Sequence, residues 1–147
     1  MPNKEEWTVT VNQLPGFLWG LSPKGKRVRK TILSLNSRAH WRQRQICMKL
    51  DRERVFSAAH GMPLTMPWDR VEISVTLYAK KLHHSKDWEQ TIARMKGYID
   101  GLRDCGAITD DTMKNIVVYN TQWVEVPEEQ ERTEIKIVRL EESWNRK

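Results

Sequence analysis

Residues 71–124 read VEISVTLYAKKLHHSKDWEQTIARMKGYIDGLRDCGAITDDTMKNIVVYNTQWV, and the order of patterns in this stretch sets the fold class. Val71, Ile73, Val75 and Leu77 alternate with Glu72, Ser74, Thr76 and Tyr78, the period-two signature of a half-buried strand. Ile92, Met95, Ile99 and Leu102 then recur at spacings of three, four and three, which lines one side of a helix with apolar groups. Gly106 offers a left-handed C-cap without a Cβ penalty, so the helix is predicted to stop near Cys105. NIVVYNTQWV from Asn115 reads as a further strand. A helix packed back on the sheet is expected to return Asp111 to the edge where Asp87 and Glu89 begin.

Outward from this core, WTVTV from Trp7 predicts a first strand and TEIKIVRL from Thr133 a last one. A turn-rich stretch with Pro15, Gly16, Pro23 and Gly25 follows the first strand. Ser37 to Ala59 reads as the other main helix, ended by Gly61 and Pro63. Trp41, Met48 and Val55 repeat every seven residues there, widened by Ile46, Leu50 and Ala58, so Trp41 reads as a packing residue. Trp7, Trp19 and Trp68 suit either core or interface. A chain of 147 residues can bury a core as one domain, and no repeat or low-complexity tract divides it. The expected architecture for 1–147 is α+β, a small mixed β-sheet with two main helices packed on it and a frayed tail over 141–147.

The chemistry-bearing residues concentrate in 86–111. Asp87 and Glu89 sit at the helix start, Lys96 and Asp100 lie four apart on one face, and Asp110 and Asp111 follow a tight turn. Converging carboxylates are the ligands of a hard dication such as Mg²⁺, with Mn²⁺ as a substitute, and such sites hydrolyse phosphodiesters. Lys96 is suited to steady charge on the phosphorane. The plainer alternative is that the helix dipole favours acids at a helix start and that an Asp pair is ordinary turn chemistry.

These positions resemble a known family, the RusA-like Holliday junction resolvases of phages and prophages. Its pattern is an Asp-x-Asp-Asn segment, a lysine, an aspartate four residues on in a D-G-L triplet, a glycine and an Asp-Asp pair. Here these are Asp87, Glu89, Gln90, Lys96, Asp100 with Gly101 and Leu102, Gly106, and Asp110 with Asp111. An upstream Asn-x-Arg-x-His-Trp segment is matched by Asn36, Arg38, His40 and Trp41. The likeness covers roughly residues 30 to 120. Glu89 and Gln90 depart from the family's Asp and Asn, each by one added methylene with the chemical character kept, which favours a working site. The resemblance implies a homodimeric, Mg²⁺-dependent endonuclease that resolves four-way DNA junctions by paired nicks leaving 5′-phosphates. Asp87, Glu89 and Asp111 are the implied metal ligands, Asp110 a further candidate, and Lys96 the catalytic cation. The alternatives are a branched-DNA binder of the same fold that does not cut, and a nuclease of broader range acting on flaps or other branches.

The charge distribution agrees with a nucleic-acid partner. The chain carries a formal net charge of +6, yet residues 21–54 hold eleven Lys or Arg against two acids, whereas 110–147 hold six against nine. Lys24, Lys26, Arg27, Arg29 and Lys30, followed by Asn36, Arg38, His40 and Arg42, are the expected DNA contacts, supplying affinity rather than sequence specificity. A solvated basic loop is the competing reading, and for His40 the alternative is a local backbone cap, with the family motif favouring phosphate. His83 and His84 invite zinc, but Cys47 and Cys105 have no CxxC partner and read as buried free thiols. With no secretory pattern, disulfide framework or membrane-length apolar run, the expected compartment is the cytoplasm of a bacterium or phage-infected host.

Overall fold

Alternating burial organises the sheet. A computed structural model describes residues 4–33, 39–80 and 88–140. In chain order these form β1 (Glu6–Val11), β2 (Phe17–Leu21), β3 (Arg27–Thr31), α1 (Trp41–Ala58), β4 (Val71–Ala79), α2 (Trp88–Arg94), α3 (Lys96–Asp104), β5 (Ile116–Glu125) and β6 (Arg132–Arg139). Four strands make one mixed sheet in the order β1-β6-β4-β5. β6 runs antiparallel to both β1 and β4, while β5 runs parallel to β4. The expected α+β domain with a small mixed sheet is therefore observed, and all four of its strands coincide with sequence patterns.

Trp7, Val9 and Val11 of β1, Ile135 and Ile137 of β6 and the odd-numbered residues of β4 are buried together with Met95, Tyr98, Leu102 and Trp68. Removing this apolar surface from water is the main stabilising term. Its burial is roughly proportional to the stability gained, so the helices that cover it are held in place by the same term.

The amphipathic run after β4 is two helices rather than one. The Met95 N–H is shared between the carbonyls of Thr91 and Ile92, each at 3.1 Å, a tightened turn that separates α2 from α3. The bend lets each half serve a different neighbour. Thr91 on α2 accepts a hydrogen bond from Trp123 Nε1 of β5 at 3.0 Å, and α3 lies against α1.

Close approach of α1 and α3 corrects the expected apolar stripe. Gly97 and Gly101, one turn apart, face α1 so closely that an added Cβ would meet Asp51 Cβ at 2.6 Å and Val55 Cβ at 2.7 Å. The buried residues of α1 are consequently Cys47, Asp51 and Val55. Trp41 and Ile46, expected to pack, are 55% and 53% exposed. The period was misleading because the middle of the true stripe is an aspartate. Cys47 is buried and Cys105 half-buried, both as free thiols, and burial pushes the Cys47 thiol up to about 12. Among the described residues no helix is long and apolar enough to cross a membrane.

The second departure from expectation lies in the turn-rich stretch, which forms a separate antiparallel hairpin, β2 with β3. Its base is fixed by Asp51, whose Oδ2 accepts from the Gly16 N–H at 2.8 Å while Oδ1 accepts from Arg54 at 2.9 Å. Gly16 adopts φ +78 against the Arg94 backbone, where any Cβ would stand 3.0 Å away.

Candidate functional site

Lys96 begins α3, with its side chain 64% exposed, while the α1-facing glycines hold the helix in place. Asp111 arrives from a loop that is clamped rather than loose. Gly106 turns the chain at φ 85, and Ile108 then forms a parallel bridge with Trp68, with Trp68 N–H donating to the Ala107 carbonyl at 3.1 Å and Thr109 N–H to the Trp68 carbonyl at 3.2 Å. Beyond Asp111, the Asn115 N–H closes a turn on the Thr112 carbonyl at 3.0 Å. Lys96 and Asp111 thereby line one cavity of about 530 Å³, walled by Trp88, Ile92, Met113 and Tyr119. The Tyr119 hydroxyl is buried at this wall without a hydrogen-bond partner, and burial raises its pKa. The groove thus presents one cation and one carboxylate among mainly apolar walls, with the lysine largely open to solvent.

Arg103 is the residue that sequence reasoning missed. Its guanidinium lies 3.4 Å from Asp110 Oδ1, 3.8 Å from Asp111 Oδ1 and 3.9 Å from Asp100 Oδ1. Lys96 Nζ approaches the other oxygen of Asp100 at 3.9 Å, so a nearly buried carboxylate stands between the two cations. The Asp111 N–H donates to Asp110 Oδ1 at 2.8 Å, and this bond, helped by Arg103, holds the Asp110 carboxyl below its ordinary value. The only sequence signal was the i,i+3 spacing of Asp100 and Arg103, because proximity to Asp110 and Asp111 depends on the turn at Gly106.

Of the remaining expected ligands, Glu89 alone falls within the described residues. Glu89 lies in the first turn of α2, and Asp87 lies outside the described residues. Because β4 and β5 are parallel, the chain leaves at the C-terminal end of β4 and returns before the N-terminal end of β5. The segment that leads from β4 to the start of α2, residues 81–87, lies outside the described residues. The groove carrying Asp111 reaches Trp88, the neighbour of Glu89. Among the described residues no three His, Cys, Asp or Glu side chains form a group able to hold a metal ion.

No protein-family model matches this chain, and no curated protein matches it.

The basic residues divide by what holds them. Lys24 and Lys26 are exposed in the hairpin turn, where the Ser22 N–H donates to the Lys26 carbonyl at 2.7 Å. Arg27, Arg29 and Lys30 lie on β3, with Arg29 ion-paired to Glu131 at 2.8 Å and its charge thus partly neutralised. His40 acts as the N-cap of α1, its Nδ1 accepting from the Arg42 N–H at 3.2 Å, which is the local capping role. The Arg42 guanidinium stands 5.4 Å over the Trp41 ring. Asn36 and Arg38, with His83 and His84, lie outside the described residues.

Proposed function

We propose that this protein is a divalent-metal-dependent endonuclease acting on branched DNA, a resolvase of four-way junctions of the kind its motifs resemble, working as a homodimer. The observation that carries this reading is the shared groove of Lys96 and Asp111, two motif residues brought together across α3 and the turn at Gly106. Support comes also from the basic hairpin, in a segment with no Asp or Glu between Glu6 and Asp51.

The donors near the groove are carboxylate oxygens, the class that suits Mg²⁺ or Mn²⁺, and Asp100, Asp110 and Asp111 already gather around one cationic group, Arg103. Asp111, with Asp87 and Glu89, would hold the ion, and Asp110 is a further candidate. A bound ion supplies Lewis acidity and a water of lowered pKa. Lys96 would stabilise the charge that grows on the scissile phosphate, and Asp100 would restrain the lysine from its buried side. Two copies related by a two-fold axis would match the symmetry of a four-way junction and deliver paired nicks.

A second reading is favoured by one observation: Arg103 pairs with Asp110 and Asp111, which suits a protein that binds branched DNA without cutting it. Incubation with a mobile four-way junction, with and without Mg²⁺ and beside Asp111→Asn, decides between them. Symmetric metal-dependent nicking lost in the variant supports the resolvase; tight binding without cleavage in Mg²⁺ or Mn²⁺ supports the binder; cleavage of linear duplex at an equal rate argues for the broader nuclease.

A further inference from the structure

We infer that the β2–β3 hairpin carries a stacking site for an unpaired nucleobase, centred on Trp19. Residues opposite one another in an antiparallel pair point to the same face, so Phe17, Trp19 and Leu21 share a face with Thr31, Arg29 and Arg27. Phe17 at the base of this face is 2% exposed and anchors the ribbon, but exposure rises along it to 42% at Trp19 and 67% at Leu21. Apolar surface that fills no core here stands beside cations. The Arg27 guanidinium lies 4.3 Å from the Trp19 ring and that of Arg29 5.7 Å, while Phe17 meets it edge-on at 5.7 Å. On the opposite face the Lys30 side chain crosses Gly20, where a Cβ would meet its Cε at 3.1 Å. Lys24 and Lys26 occupy the tip.

An indole beside guanidinium groups on a ribbon rich in cations, of which Arg29 alone is paired to Glu131 here, suits single strands: cations track the phosphates, and the ring offers its π-surface to any base. Paired bases are stacked already and cannot use it. The ribbon therefore distinguishes unpaired from paired nucleotides, and at a branched substrate it would engage bases opened at the branch point. This rests on the nucleic-acid partner proposed above but not on cleavage.

The test is binding of an oligonucleotide of about 12 nucleotides, within the usual range of site sizes, against an abasic strand of equal length and charge and a duplex of the same sequence. Wild type is expected to prefer the base-bearing single strand to the abasic one by on the order of tenfold, the scale of one base–aromatic stack. Trp19→Ala should fall to the abasic level, Trp19→Phe should keep most of the preference, and Lys24→Ala with Lys26→Ala should weaken all three ligands alike. Equal affinity of wild type for base-bearing and abasic strands, or a preference that survives Trp19→Ala, overturns the stacking site while leaving the nuclease reading intact. Failure to bind any of the three overturns the stacking site, and the junction incubation tests the nuclease reading separately. A strand bound through its bases but never cut supports the stacking site and leaves the nuclease reading to the junction assay.

Discussion

Gly97 of α3 stands so close to Asp51 of α1 that a Cβ built on the glycine would lie 2.6 Å from the Asp51 Cβ. The contact is between rigid parts of both helices, so it cannot be relieved by moving a flexible side-chain end. It sets where α3 runs, and hence where Lys96 stands at its beginning. Gly97→Ala is expected to destabilise the protein by about 1–3 kcal/mol through overpacking, offset by no more than about 1 kcal/mol of improved helix propensity. Chemical denaturation measures this, and a stability equal to wild type would mean the helices are not held at this spacing.

Asp51 also makes stability depend on pH. Burial pushes its carboxyl from 3.8 up to about 6, against the opposing pull of the Gly16 N–H, Arg54 and Arg94. The folded state therefore holds a proton more tightly than the unfolded chain. Its contribution, up to about 3 kcal/mol, is complete below about pH 3.8 and is lost as pH rises through about 6. Thermal melts from pH 4 to 7 should show this component in wild type, and it should be absent in Asp51→Asn.

Tyr119 buries a hydroxyl with no partner, and an unsatisfied polar group costs about 1–3 kcal/mol. Tyr119→Phe is expected to raise the melting temperature. Because the hydroxyl is buried, the same variant should leave DNA binding unchanged, and a thermal melt beside a binding titration checks both.

Arg103 competes with any cation drawn to Asp110 and Asp111. Arg103→Met should tighten Mg²⁺ binding by on the order of thirtyfold, the upper bound for removing one charge at contact distance from a dication in a well-hydrated site. Calorimetric titration with Mg²⁺ alone reads this directly. Unchanged or weaker affinity would show that Arg103 supports the carboxylates rather than competing for them.

For catalysis, Lys96→Met is expected to lower junction cleavage by about 10²–10³-fold, as losing one charge-stabilising donor does, with little change in junction Kd. The reverse pattern should follow from Lys24→Ala with Lys26→Ala: cleavage at saturating protein preserved, and the dependence of log K on log salt less steep by about 2. A loss of binding in Lys96→Met as large as its loss of cleavage would reassign the lysine to simple phosphate contact.

The strands of the main sheet were legible in the sequence because alternation has a fixed period, and a strand with one buried face must obey it. The helix before Cys105 was legible for the same reason, although its break at Met95 was not, since the apolar spacing continues unbroken across it. Hydrophobic periodicity failed at α1, where Asp51 occupies the central buried position and Trp41 lies outside. The hairpin was read as turns because its strands are short, rich in cations and glycine, and only partly buried.

The sequence by itself determined the α+β class, the main-sheet strands, and the separation of a basic segment from an acidic one. These depend on local period and on composition, which neighbours along the chain express. Only the tertiary structure decided that β4 and β5 run parallel, that the groove holding Lys96 and Asp111 reaches Trp88 beside Glu89, and that Arg103 draws Asp100, Asp110 and Asp111 together. It alone revealed Trp19 exposed on a ribbon of its own. The physical reason is the same in each case: contacts between residues distant in sequence are set by how layers pack and by which way a strand runs, and no local spacing records either.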